Sequence, residues 1–84
     1  MSWQVVWTDQ ALKDADRLAA RTRQRVVAAI ERLATTNQGD VKRLKGPEPE
    51  WRLRVGDWRV RFTYDVDAGT MTILHVLPRG RAYR

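Results

Sequence analysis

The chain opens with Trp3-Gln4-Val5-Val6-Trp7, a short run of β-branched and aromatic residues that suits a pleated surface and predicts a strand. Thr8 or Asp9 can cap a helix, after which Ala11, Leu12, Ala15, Leu18 and Ala19 recur at helical spacing along one face. Thr22 reads as the N-cap of a second helix. Its apolar stripe is Val26, Val27, Ile30, Leu33 and Ala34, and it stops at the breakers Asn37, Gln38 and Gly39. Two helices in immediate succession predict an αα-hairpin. Residues 40–50 contain Pro47 and Pro49, which cannot continue a helix, so this stretch reads as a connecting loop.

From Trp51 the period falls to two. Trp51, Leu53 and Val55 alternate with Arg52 and Arg54, and after Gly56-Asp57 the alternation resumes with Trp58, Val60, Phe62 and Tyr64 against Arg59, Arg61 and Thr63. A two-residue loop with glycine first suits a type II′ hairpin turn. That turn sets Val55 opposite Trp58, Arg54 opposite Arg59, Leu53 opposite Val60 and Arg52 opposite Arg61. Asp67-Ala68-Gly69 turns the chain again, Met71 to Leu77 makes a last strand, and Pro78 to Arg84 forms a basic tail. The order is β-α-α-β-β-β over one domain, residues 1–84. The predicted class is α+β, a helical hairpin packed on one face of a mostly antiparallel, twisted sheet.

Composition narrows the chemistry. The chain has no cysteine and one histidine, which removes a disulfide framework and any clustered cysteine or histidine metal site, so neither metal nor cofactor is expected. No apolar run approaches the ~18 residues that span a bilayer and no signal-peptide profile opens the chain, so a cytoplasmic protein without membrane contact is the expectation. The net charge of +6 is unevenly placed. Residues 1–40 hold six Lys/Arg against five Asp/Glu, whereas residues 41–84 hold ten against five. The cationic surface therefore belongs to the C-terminal half, where it fits a polyanion or an acidic protein partner.

The hairpin register gathers Arg52, Arg54, Arg59 and Arg61 on one face of the sheet. Like charges directly opposed destabilise a sheet, so folding alone does not account for this arrangement. A solvated face whose arginine stems cover apolar surface is the plain alternative. Phosphate binding explains more, because the planar guanidinium offers two parallel hydrogen bonds and stays protonated at physiological pH.

Leu44-Lys45-Gly46, followed by Trp51-Arg52-Leu53-Arg54-Val55-Gly56-Asp57-Trp58-Arg59-Val60-Arg61-Phe62, resembles the core of the RelE/ParE toxin superfamily, in which L-K-G precedes a strand of the form R-L-R-V-G-D-Y-R-V. The tail Arg79-Gly80-Arg81-Ala82-Tyr83 resembles the family's closing R-x-x-x-Y. The resemblance, closest to the RelE-like branch, implies the RelE-like microbial RNase fold and a toxin of a type II toxin-antitoxin module. It implies a ribosome-dependent mRNA endonuclease that cuts in the A site by 2′-hydroxyl attack, leaves a 2′,3′-cyclic phosphate, and is neutralised by a cognate antitoxin. By position it implies catalytic roles for Arg52, Arg54, Arg59, Arg79 and Tyr83. Lys42, Arg43, Lys45, Arg61 and Arg81 then contact RNA, including ribosomal RNA backbone. The alternatives are a ParE-like poison of DNA gyrase without nuclease activity, and a degenerate member that retains only antitoxin binding.

The RelE pattern has lysines where this chain has Arg52 and Arg54, and arginine is a poor base, so the general base is left unassigned. Glu48 and Glu50 precede the active strand but read first as solvated loop carboxylates. His75, mid-strand, reads as a structural histidine. Trp51 and Trp58 fall on the apolar side of the hairpin and read as core.

Overall fold

In the computed structural model, which describes residues 2–80, strand β1 (Gln4–Trp7) runs directly into helix α1 (Asp9–Asp16). Thr8 joins them. Its hydroxyl accepts from the Ala11 amide at 3.1 Å and donates to the Ile73 carbonyl at 2.9 Å, so one side chain caps the helix and pins it to the sheet. Helix α2 (Ala20–Thr36) starts earlier than Thr22 implied, with Ala19 at the N-cap and no side-chain cap bond. Arg23 makes the early start workable: its Nε donates to the Ala15 carbonyl at 3.1 Å and its Nη2 to the Leu18 carbonyl at 3.0 Å. These bonds tie the start of α2 to the backbone that leaves α1.

The expected face of α1 needs one exchange. Leu12 is 49% exposed and Ala19 also turns outward, while Asp14 is 5% exposed and takes an inward place beside Ala11, Ala15 and Leu18. Positions 11, 14, 15 and 18 make the i, i+3, i+4, i+7 stripe, so helix geometry selects Asp14 in spite of its polarity. Its carboxylate is satisfied: Oδ2 accepts the Val76 N–H at 3.0 Å and Oδ1 accepts from Gln10 Nε2 at 2.8 Å. Helix α2 buries Val26, Ile30, Leu33 and Ala34 as its spacing predicts. It ends at Asn37, whose left-handed φ of 59° brings its amide to the Leu33 carbonyl at 2.9 Å.

Four further strands follow: β2 (Asp40–Leu44), β3 (Glu50–Val55), β4 (Trp58–Asp65) and β5 (Thr70–Pro78). They form a five-stranded sheet with β1 in the order β1-β5-β4-β3-β2, parallel only between β1 and β5. The stretch expected as loop therefore contains an edge strand, with Val41 opposite Leu53 and Lys42 opposite Arg52. The prolines exclude a helix but leave the five residues before the Lys45 to Pro49 connection free to pair with β3. The predicted hairpin register holds at all four pairs. Gly56 has φ 58°, and Asn37 is the one non-glycine residue at positive φ among the described residues, so Asp57 completes a type II′ turn.

Both helices pack on one face, Val26, Ile30 and Leu33 against Leu53, Val60, Phe62, Met71 and Ile73. This is the expected α+β architecture with one added strand. Among the described residues no helix is long and apolar enough to cross a membrane. The sheet has a single irregularity between β4 and β5: Arg61 pairs with His75 but Phe62 pairs with Ile73, which leaves Leu74 unopposed. Met71 and Ile73 face the helices before this bulge, and Val76 faces them after it, so the inside-outside alternation of β5 inverts at Leu74.

Candidate nucleic-acid interface

The sheet face turned away from the helices is built in registered rows. Asp40, Arg54, Arg59 and Leu77 make one row across β2 to β5, and Lys42, Arg52, Arg61 and His75 make the next. The Arg79 amide donates to the Asp57 carbonyl at 2.8 Å, folding the end of β5 over the hairpin turn and setting Arg79 beside these rows. Lys42, Arg52, Arg54, Arg59, Arg79 and Gly80 line a shallow depression of about 390 Å³. A second basin of about 380 Å³, lined by Lys42, Arg43, Leu44, Lys45, Glu50 and Arg61, adjoins it through Lys42. Every predicted contact residue within the described chain thus lines one of two neighbouring hollows. Arg81 and Tyr83 lie outside the described residues.

The arginines differ in how they are held. Arg52 is only 7% exposed, its Nε has no hydrogen-bond partner, and no carboxylate pairs with it among the described residues. A cation so buried and so poorly compensated is costly to the fold unless an anion arrives. Arg59 is 5% exposed and curls back on its own hairpin, Nη1 donating to the Gly56 carbonyl at 2.9 Å and the Trp58 carbonyl at 3.1 Å. It therefore braces the turn as well as lining the depression, and is not the freely solvated side chain that a polar face suggests. Arg54 lies 3.9 Å from Asp40 in an exposed, weak pair. Arg61 donates from Nη2 to Glu50 at 2.7 Å, while its own Nε is buried and unpartnered.

The carboxylates sort by the same contacts. Glu50 is committed to Arg61 rather than solvated, and Glu48 is exposed. Trp51 and Trp58 pack against the core as their side of the hairpin predicts. Trp3 and Trp51 flank Tyr64, with ring centroids at 4.5 and 5.8 Å, and burial pushes the Tyr64 phenol above its ordinary value. The sequence reading missed one pair. Asp14 Oδ2 and His75 Nδ1 stand 3.6 Å apart at the β5 edge, where β1 has ended. A polar residue on the α1 core stripe was the available signal for Asp14. Nothing in the alternation of β5 signalled that His75 shares a face with the arginines.

The family described as ParE toxin of type II toxin-antitoxin system, parDE, matches residues 5–83. The chain belongs to the ParE toxin family. The ParE match spans all the hollow-lining residues, and solved structures agree on the fold. A RelE–RelB complex from Pyrococcus horikoshii is similar at 27% identity and TM-score 0.80, covering 98% of this chain and 100% of that one. The toxin-antitoxin complex RelBE2 of Mycobacterium tuberculosis is similar at 25% identity and TM-score 0.83, covering 94% and 93%. A mutant of the E. coli toxin RelE in the free state, at 16% identity and TM-score 0.75 over 99% and 88%, shares the fold. No curated protein sequence matches the chain. This ParE-family chain is a toxin of the RelE/ParE superfamily of type II toxin-antitoxin systems.

Proposed function

We propose that the protein is a ribosome-dependent mRNA endonuclease, acting in the cytoplasm and silenced by a cognate antitoxin. Arg52 carries the reading: a guanidinium buried to 7% exposure, without a compensating carboxylate among the described residues, at the base of a hollow lined by four more cations. A phosphodiester supplies the anion that this site lacks. In the proposed reaction the ribose 2′-oxygen forms a bond to the adjacent phosphorus and the P–O5′ bond breaks, giving a 2′,3′-cyclic phosphate and a 5′-hydroxyl. Arg59 and Arg79, assigned by position in the family pattern, neutralise charge developing on the phosphorane, and a single well-placed donor of this kind is worth ~3 to 4 kcal/mol. Lys42, Arg43, Lys45 and Arg61 hold flanking backbone without reading sequence. Arg54 joins the catalytic set by lining the hollow, and Arg81 and Tyr83 keep the roles that their positions imply.

The antitoxin follows from chemistry as well as family. An acidic, initially disordered segment can neutralise the excess cations of residues 41–84 while folding on this surface. The solved complexes of P. horikoshii and M. tuberculosis relatives support such a partner. The second reading, a gyrase poison, is favoured by the ParE family match itself. A paired assay decides between them. Purified protein on mRNA-programmed ribosomes is expected to yield fragments with 2′,3′-cyclic phosphate ends while gyrase supercoiling is unaffected. Intact mRNA together with blocked supercoiling would replace the endonuclease with the poison.

Binding to single-stranded RNA is expected to be strongly salt-dependent. With four of the cations on phosphates, log affinity should fall against log salt with a slope of about −3. Fluorescence anisotropy of a labelled oligonucleotide measures it, and a flat response would separate the arginine face from RNA.

A further inference from the structure

The arginines that line the hollow cannot remove a proton from a 2′-hydroxyl, because a guanidinium stays protonated. Glu50, the carboxylate in the neighbouring basin, is occupied by Arg61 at 2.7 Å. His75 is a further proton-transfer group in the row of Lys42, Arg52 and Arg61, and the bulge puts it there. With regular pairing through Phe62 and Ile73, His75 would fall opposite Val60 and point into the core. The unopposed Leu74 inverts the alternation, so His75 stands opposite Arg61 and diagonal to Arg59. Directly opposed side chains have Cβ atoms about 5 Å apart and diagonal ones about 7 to 8 Å, so His75 is a near neighbour of Arg61 and Arg59 on the sheet. Bulges are found beside active sites for this purpose, since they re-aim a single side chain.

The His75 side chain is 40% exposed, whereas that of Asp14 is 4% exposed. Asp14 is fixed from three sides: by the Val76 N–H at 3.0 Å, by Gln10 at 2.8 Å and by its place on the buried stripe of α1. Its Oδ2 faces His75 Nδ1 at 3.6 Å, a looseness common in catalytic pairs without substrate. The charged groups that face His75 are Asp14 from α1 and, opposite it in register, Arg61 from β4. A carboxylate hydrogen-bonded at Nδ1 of a neutral imidazole favours the tautomer whose lone pair is on Nε2.

We propose that His75 is the general base of the cleavage reaction and that Asp14 positions it, an inference that rests on the endonuclease reading above. Nε2 takes the proton of the 2′-hydroxyl, the O2′–P bond forms, the P–O5′ bond breaks, and the departing 5′-oxygen takes a proton from water. Arg59, diagonal to His75, meets the phosphoryl oxygens together with Arg79.

The test is single-turnover cleavage of mRNA on programmed ribosomes by the full chain, with thermal melts of every variant. His75→Ala is expected to cut about 100-fold more slowly or worse, and imidazole added to the buffer to recover part of the rate in that variant alone. His75→Gln, which keeps a polar side chain of similar size beside Asp14, should melt close to wild type yet remain slow and unrescued. Asp14→Asn keeps an acceptor for the Val76 amide and is expected to lose roughly tenfold or more, with no additional loss when combined with His75→Ala, because the two act as one unit. Wild-type cleavage by His75→Ala, or a loss that follows the melting temperature and ignores imidazole, overturns the assignment while the endonuclease stands. Failure of the wild-type protein itself to cleave removes the endonuclease reading, and this inference with it.

Discussion

Arg52→Met is expected to make the protein more stable and inactive at once. Arg52 is 7% exposed with an unpartnered Nε, and it sits directly opposite Arg61, so the folded state carries both a desolvation cost and a like-charge cost at this residue. Methionine fills a similar elongated volume without either cost. Replacing a buried charge by an apolar side chain of similar size commonly gains about 1 to 4 kcal/mol, and a gain in that range should appear as a higher urea midpoint with an unchanged slope. On the substrate side the loss is of the opposite sign. On the endonuclease reading proposed above, the Arg52 guanidinium meets the developing phosphate charge, and its removal should slow single-turnover cleavage by about 100-fold or more. A lowered urea midpoint would mean that Arg52 is there for packing by its stem, and the case for a waiting anion site would go with it.

Phe62→Ala is expected to bring the fold to the edge of unfolding. Phe62 is fully buried, stacks edge-on to Tyr64 at 5.2 Å and 87°, and pairs with Ile73 at the first position beyond the β-bulge. Truncating a core phenylalanine costs about 3 to 5 kcal/mol in transfer and cavity terms. A domain of this length has a total stability near the lower end of the usual 5 to 15 kcal/mol, because small domains bury a smaller share of their surface. Far-UV circular dichroism should show a broadened or absent thermal transition at physiological temperature. A loss below about 1 kcal/mol would mean that the space collapses around the missing ring and that Ile30 and Met71 carry this part of the core.

Legibility followed how far each contact reaches along the chain. The β3–β4 hairpin was readable because a two-residue turn fixes every cross-strand pair, so the arginine rows came out in their observed order. The stripe of α2 was readable because Val26, Ile30 and Leu33 repeat at the helical period. Strand β2 was hidden by its charges, since an edge strand whose outer face is largely polar needs only Val41 to hold it to the core. The inward turn of Asp14 depends on an amide at the edge of β5, sixty-two residues away in the chain. No local pattern contains that information. The bulge at Leu74 is of the same kind, for it arises from two strands whose alternations disagree rather than from a residue that announces it.

The position of β2 has one more consequence. It is the outermost strand of the sheet on that side, with a row of backbone donors and acceptors unclaimed by any neighbouring strand among the described residues. Such an edge invites another chain to add to it and begin a stack, and lysine or arginine on the strand is a common protection, because two charged edges repel. Lys42 and Arg43 are both exposed there. The cations proposed to hold RNA backbone thus also suit a second task, guarding the β2 edge against pairing with another copy, and that task sets an upper limit on how far this surface can be neutralised.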